Sequence, residues 1–237
     1  MLGKEHPHTQ ESVSDLAEMF RNKASSPSAM SSNATPLQAA AKGGHLEVVQ
    51  FLINQGADVN QAPERIGGRT ALQVASEAGC LSVVQLLLKH HGNVNENPAS
   101  YSGKTALQAA AGNGHLEVAR LLLEHGADVN ANTATYGHSR TALQAASEGG
   151  HLEVVRLLLE RGADVNAGGT TCSFGRTALQ AASAGGHLEV VRLLLKQGAN
   201  DNAEVRRHGR TALQAASDGR HLKVIGLLLE RNADFNF

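Results

Sequence analysis

The chain has no tryptophan, two tyrosines and five phenylalanines in 237 residues, so aromatics amount to only 3%. Apolar residues still reach 41%, enough for a continuous core, which must be aliphatic and made of Leu, Val and Ala. Net charge is also nearly absent, at −1, so nothing global favours nucleic acid or an anionic membrane. No apolar run approaches the roughly 18 residues of a spanning helix. The first ten residues, MLGKEHPHTQ, lack the apolar stretch of a secretory signal. Without secretion the single Asn33-Ala34-Thr35 sequon is a chance match.

What the chain does have is repetition. The stretch Thr141–Asn166, TALQAASEGGHLEVVRLLLERGADVN, recurs six times with small edits, starting at Thr35, Thr70, Thr105, Thr141, Thr177 and Thr211. Each copy closes on an asparagine 25 positions later: Asn60, Asn95, Asn130, Asn166, Asn202 or Asn236. Spacings between copies are 35, 35, 36, 36 and 34 residues, so all length variation falls in the joints. A rigid unit with elastic joints at that period predicts a solenoid, in which each unit contacts only its neighbours. Cys80 and Cys172, the only cysteines, lie about three repeats apart. At ~10 Å per repeat they are far beyond the ~7 Å limit for a disulfide. A reduced compartment is expected, cytoplasmic or nuclear.

Within a unit, the Thr hydroxyl is placed to cap a first helix, with Pro36 or Ala at its first position. That helix runs through LQAAS and stops at a glycine pair such as Gly149-Gly150. The second helix, with Leu152, Val154, Val155, Leu157, Leu158 and Leu159, is apolar on most sides. It suits burial against its partner and against neighbouring units. Gly162 ends it as a left-handed cap, and eight to ten residues rich in Gly, Ser, Thr and Asn follow as a hairpin-like loop. Copy six departs from this pattern, with Gly226 inside its second helix and Asn232 in place of the capping glycine. No polar capping repeat follows, which reads either as a fragment of a longer array or as an exposed docking end.

Residues 1–34 differ. A Ser-rich linker over 23–34 follows a stretch in which Val13, Leu16, Ala17 and Phe20 share one helical face. This short helix either covers the open end of repeat 1 or docks on a partner. Two domains are therefore expected: a flexible segment, 1–34, and a repeat domain, 35–237.

The unit T-A-L-Q-A-A-S-x-G-G-H-L-E-V-V-R-L-L-L-E-x-G-A-D-V-N resembles the ankyrin repeat over residues 35–237. The resemblance implies an all-α solenoid of paired antiparallel helices with hairpin-like loops, acting as a protein-binding module. Two departures recur: Gln38, Gln73, Gln108, Gln144, Gln180 and Gln214 stand where the family's T-P-L-H element has His, and the joints run longer than usual. Both features are similar to ankyrin arrays of fungal multidomain proteins.

The most suggestive chemistry is the histidine that opens the second helix, at His45, His115, His151, His187 and His221, with Cys80 in that slot of repeat 2. Neighbours at ~8–10 Å cannot share a zinc that needs each nitrogen at ~2.0–2.1 Å. The resemblance implies a structural histidine bonding backbone at the helix start. The glutamine column is expected to tie its helix to the adjacent loop, since a buried amide both donates and accepts. No nucleophile–base order or phosphate-binding loop is present, and Ala167-Gly168-Gly169 lacks the required Lys. Neither enzymatic activity nor a cofactor or metal is expected.

Differences between copies carry the functional reading. Tyr101, Tyr136, Ile66 and Phe174 fall three to five positions before the next Thr, so they are expected along one edge of the solenoid. Aromatics on exposed loops either anchor a protein partner or pack on one another to stiffen long hairpins. Basic residues precede five of the Thr caps, at Arg69, Lys104, Arg140, Arg176 and Arg210, and Arg206, Arg207 and His208 extend the row. Glu77, Glu148 and Asp218 end the first helices of their repeats, and Arg65 joins Ile66 in the first loop. Such a mixed surface disfavours a nucleic-acid groove. The expected partner is a protein met by loop tips and the inner helix face, and the expected state is a monomer unless the uncapped end pairs. The alternative is a structural spacer within a larger polypeptide.

Overall fold

The computed structural model describes residues 34–61, 68–96, 103–131, 140–168, 176–203 and 210–234. It forms two compact units, divided between Ala106 and Leu107. The first contains α1 (Pro36–Lys42), α2 (Leu46–Asn54), α3 (Ala71–Ala78) and α4 (Leu81–Lys89). Here α1 packs on α2, α3 on α4, and the pairs stack through α1 on α3 and α2 on α4.

The second unit begins one residue into α5 (Ala106–Gly112) and continues with α6 (Leu116–Glu124), α7 (Ala142–Glu148) and α8 (Leu152–Glu160). Then follow α9 (Ala178–Ala184), α10 (Leu188–Lys196), α11 (Ala212–Asp218) and α12 (Leu222–Asp234). The first helices α7, α9 and α11 stack in series, as do the second helices α6, α8, α10 and α12.

Local chemistry explains why the elements begin and end where they do. Thr35, Thr70, Thr141, Thr177 and Thr211 adopt extended backbone and accept from the N–H of the glutamine three residues on, whose side-chain oxygen accepts from the Thr N–H in return. This reciprocal box satisfies two otherwise orphaned donors, and each such cap contributes about 1 kcal/mol. Gly56, Gly126, Gly162 and Gly198 end the second helices in the left-handed region, at φ between 83° and 85°. In repeat 2 that position is His91, at φ 62°. A side chain there costs about 1–2 kcal/mol. The last second helix, α12, has no glycine at this point and runs for 13 residues where α6, α8 and α10 run for nine.

The core is as aliphatic as the composition demands. Ala40, Ala75, Ala110, Ala146, Ala182 and Ala216, five positions after each Thr, are all completely buried, and their small size lets successive first helices approach closely. Leu87, Leu122, Leu158 and Leu194 from the second helices are likewise fully buried. Each contributes about 1.5–3 kcal/mol, and only because an adjoining repeat covers it.

One defect recurs. Ser76, Ser147 and Ser183 are fully buried, and their hydroxyls have no hydrogen-bond partner among the described residues. Repeats 1 and 3 hold Ala41 and Ala111 at the same position, also fully buried. A buried hydroxyl without a partner costs about 1–3 kcal/mol. Ser147→Ala is therefore expected to stabilise the chain by about 1 kcal/mol, read as a higher urea midpoint at unchanged slope. An unchanged or lower midpoint would show that the hydroxyl is satisfied in solution.

Candidate functional site

The histidine column does structural work between repeats. His151 Nε2 lies 3.1 Å from the Gly112 carbonyl oxygen, His187 Nε2 2.9 Å from that of Glu148, and His221 Nε2 2.9 Å from that of Ala184. A carbonyl can only accept, so Nε2 carries the proton in each. These bonds reach the end of the preceding repeat's first helix. His151 and His187 make no side-chain bond at the start of their own helices, which corrects the expected partner. Glycine pairs make room for the rings: a Cβ on Gly149 would lie 2.5 Å from His151 Nε2, and one on Gly150 2.5 Å from His187 Nδ1. Where Cys80 replaces the ring in repeat 2, Ala78 takes the place of the first glycine. Among the described residues no three His, Cys, Asp or Glu side chains are grouped to hold a metal ion.

The glutamine column ties helix to loop as its chemistry suggested. Beyond the capping box, Gln38, Gln73, Gln108, Gln144 and Gln180 are buried and donate from Nε2 to the carbonyls of Gln61, Glu96, Ala131, Ala167 and Ala203, at 2.7–3.0 Å. At Asn60, Asn130 and Asn166 the asparagine that closes the copy has a role that sequence reasoning did not assign. Asn130 donates to the Gly162 carbonyl at 3.1 Å and accepts from Asp164 N–H at 2.9 Å. Asn166 does the same to Gly198 and Asn200, and Asn60 to His91 and Asn93. Each amide thus clamps the turn of the following repeat. Its presence in all six copies was the available signal, but the partner lies more than 30 residues away.

A family model for ankyrin repeats matches the chain three times, over residues 9–98, 91–169 and 166–237. The chain belongs to the ankyrin-repeat family. No curated protein matches it. Its ankyrin fold is all-α, a solenoid of paired helices, with no strand among the described residues. Ankyrin repeats are generally protein–protein interaction modules and typically non-catalytic. None of the described helices is long and apolar enough to cross a membrane.

Of the candidate contact residues in this ankyrin domain, three are described. Glu77, Glu148 and Asp218 are partly exposed at the ends of α3, α7 and α11, and each forms an ion pair with the arginine eight positions earlier: Arg69, Arg140 and Arg210. These three acids and the arginines at Arg69, Arg140 and Arg210 therefore neutralise one another within single repeats. Exposed pairs of this kind contribute about 0–1 kcal/mol each. Arg65, Ile66, Tyr101, Tyr136, Phe174, Arg206, Arg207 and His208 lie outside the described residues, as do Cys172 and the amphipathic stretch Val13–Phe20.

The histidine packing has a pH consequence. Burial, and then the neighbouring His221 charge, hold the His187 pKa below its ordinary value of 6.5. Between the folded and unfolded pKa the unfolded chain binds more protons, so stability rises with pH across that window. Stability is complete above about pH 6.5, falls as pH drops from there, and levels off below the folded pKa. Urea midpoints are expected to fall between about pH 7.5 and pH 5, with a shallower fall for His187→Gln. Parallel pH profiles for the two proteins would remove His187 as the source.

Proposed function

We propose that this ankyrin domain binds a protein partner through its inter-repeat loops and the exposed ends of its first helices. The observation that supports this is how the recurring residues are used. The Thr–Gln capping boxes, the buried glutamine ties, the clamps at Asn60, Asn130 and Asn166, and the bonds of His151, His187 and His221 are all used within the frame. The solvent-facing differences between copies concentrate in the joints and at the ends of the first helices. Tyr101, Tyr136 and Phe174 are the anchors of this reading, and Arg65, Ile66, Arg206, Arg207 and His208 form its rim, with Glu77, Glu148 and Asp218 at its edge. Aromatic side chains bring large contact area at low entropic cost, which is why they dominate binding hot spots.

A structural spacer is the second reading. Leu222 and Leu229 are 78% and 51% exposed on α12, a surface suited to a further stacked helix pair. Against it, Arg220 occupies at φ 56° the position where Gly150 and Gly186 admit the histidine of the next repeat.

Affinity purification with the wild-type chain and with the triple variant Tyr101→Ala, Tyr136→Ala, Phe174→Ala separates the possibilities. The expected result is loss of the captured partner with a thermal midpoint unchanged within a few degrees. A lowered midpoint with capture retained would assign the three aromatics to loop packing and overturn the anchor reading.

A further inference from the structure

Arg176 precedes the Thr cap of α9, just as Arg140 precedes that of α7 and Arg210 that of α11. Arg140 and Arg210 are each neutralised by the acid eight residues on, Glu148 and Asp218. The corresponding residue for Arg176 is Ala184, half-buried and uncharged. Arg176 itself is exposed and has no ion-pair partner among the described residues. The neighbouring Arg140 feels its charge: the Arg140 pKa is lowered by burial first and by Arg176 second. One uncompensated guanidinium thus sits between two internally neutralised pairs, opposite a side chain small enough to leave room for another group.

We propose that the Arg176–Ala184 position receives a carboxylate from an Asp or Glu side chain of the protein partner, completing the arginine–carboxylate pattern of the flanking repeats. The inference rests on the protein-binding reading and specifies the partner's chemistry at one point. Among the five positions Arg140, Glu148, Arg176, Arg210 and Asp218 a single positive charge is left, which one monoanion balances. A phosphate dianion would overshoot that balance and face repulsion from Glu148 and Asp218. Arginine suits the role because its planar fork matches a carboxylate bidentately.

The test uses the full chain and a displayed library of random peptides as the probe. Peptides selected on the wild-type chain are expected to carry an Asp or Glu that matters. Its replacement by Gln, Arg176→Gln and Ala184→Glu should each weaken binding by about tenfold, a size typical of a truncated interfacial charge pair. The peptide change and Ala184→Glu should not add, because the internal carboxylate already occupies the position. Ala184→Glu should not lower the thermal midpoint, since Glu77 and Glu148 show that the position accepts glutamate. Binders indifferent to both protein variants would overturn this inference and leave protein binding intact. Glu204, in the joint after repeat 5 and outside the described residues, is the chain's own nearby acid in sequence. Tighter binding by Glu204→Gln would show that it fills the position, which also overturns the inference. A selection that yields no binder would count against the protein-binding reading itself.

Discussion

No repeat in this chain can bury its own second helix, and most of the structure follows from that constraint. Leu158 is fully buried because α6 and α10 flank α8, and Leu194 because α8 and α12 flank α10. Such stacking demands close approach, supplied by the buried alanine five residues after each Thr and by glycine pairs that leave no Cβ in the way of a neighbour's histidine ring. It also demands that polar groups caught between repeats find partners across the joint. The Asn clamps and the His–carbonyl bonds meet that demand, and together with the apolar burial they make stability a sum over neighbours.

The same constraint explains what could be read from the sequence and what could not. The Thr–Gln capping box, the glycine stops and the extended course of α12 through position 232 follow from chemistry local to a few residues, and the sequence shows them directly. The glutamine's tie to a loop carbonyl 23 residues on was accessible from its column and its amide chemistry. Partners of His151, His187 and Asn166 were not, because each lies in another repeat at a register set by how the units stack. The Arg140–Glu148 pair was missed for a related reason. A separation of eight residues across a helix start matches no helical spacing, and only the folded turn brings the two side chains together. His91 in the left-handed region stands where four other copies carry glycine, so comparing the copies marks it. Nothing in the sequence flags the hydroxyls of Ser147 and Ser183, unpartnered among the described residues.

For function, residues that recur are occupied by the frame, and residues that differ are free to vary the surface. Titratable groups in regular columns look like chemistry on paper, yet the frame accounts for them. On the proposed reading, specificity resides in the shape and charge of the joints and first-helix ends. There the balance of arginines and acids changes from repeat to repeat: paired at Arg140 and Arg210, and without an ion-pair partner among the described residues at Arg176.

Amide hydrogen exchange on Asn166→Ala tests the neighbour-coupled frame most directly. This asparagine lies outside every helix, and its side-chain amide bonds the turn after α10, while its backbone N–H is held by Asp164. If repeats are held by their neighbours, its loss lowers protection in both α8 and α10, by about 1–3 kcal/mol in opening free energy. Loss of protection confined to the turn around Asn166 and Gly198, with α8 and α10 unchanged, would contradict the account.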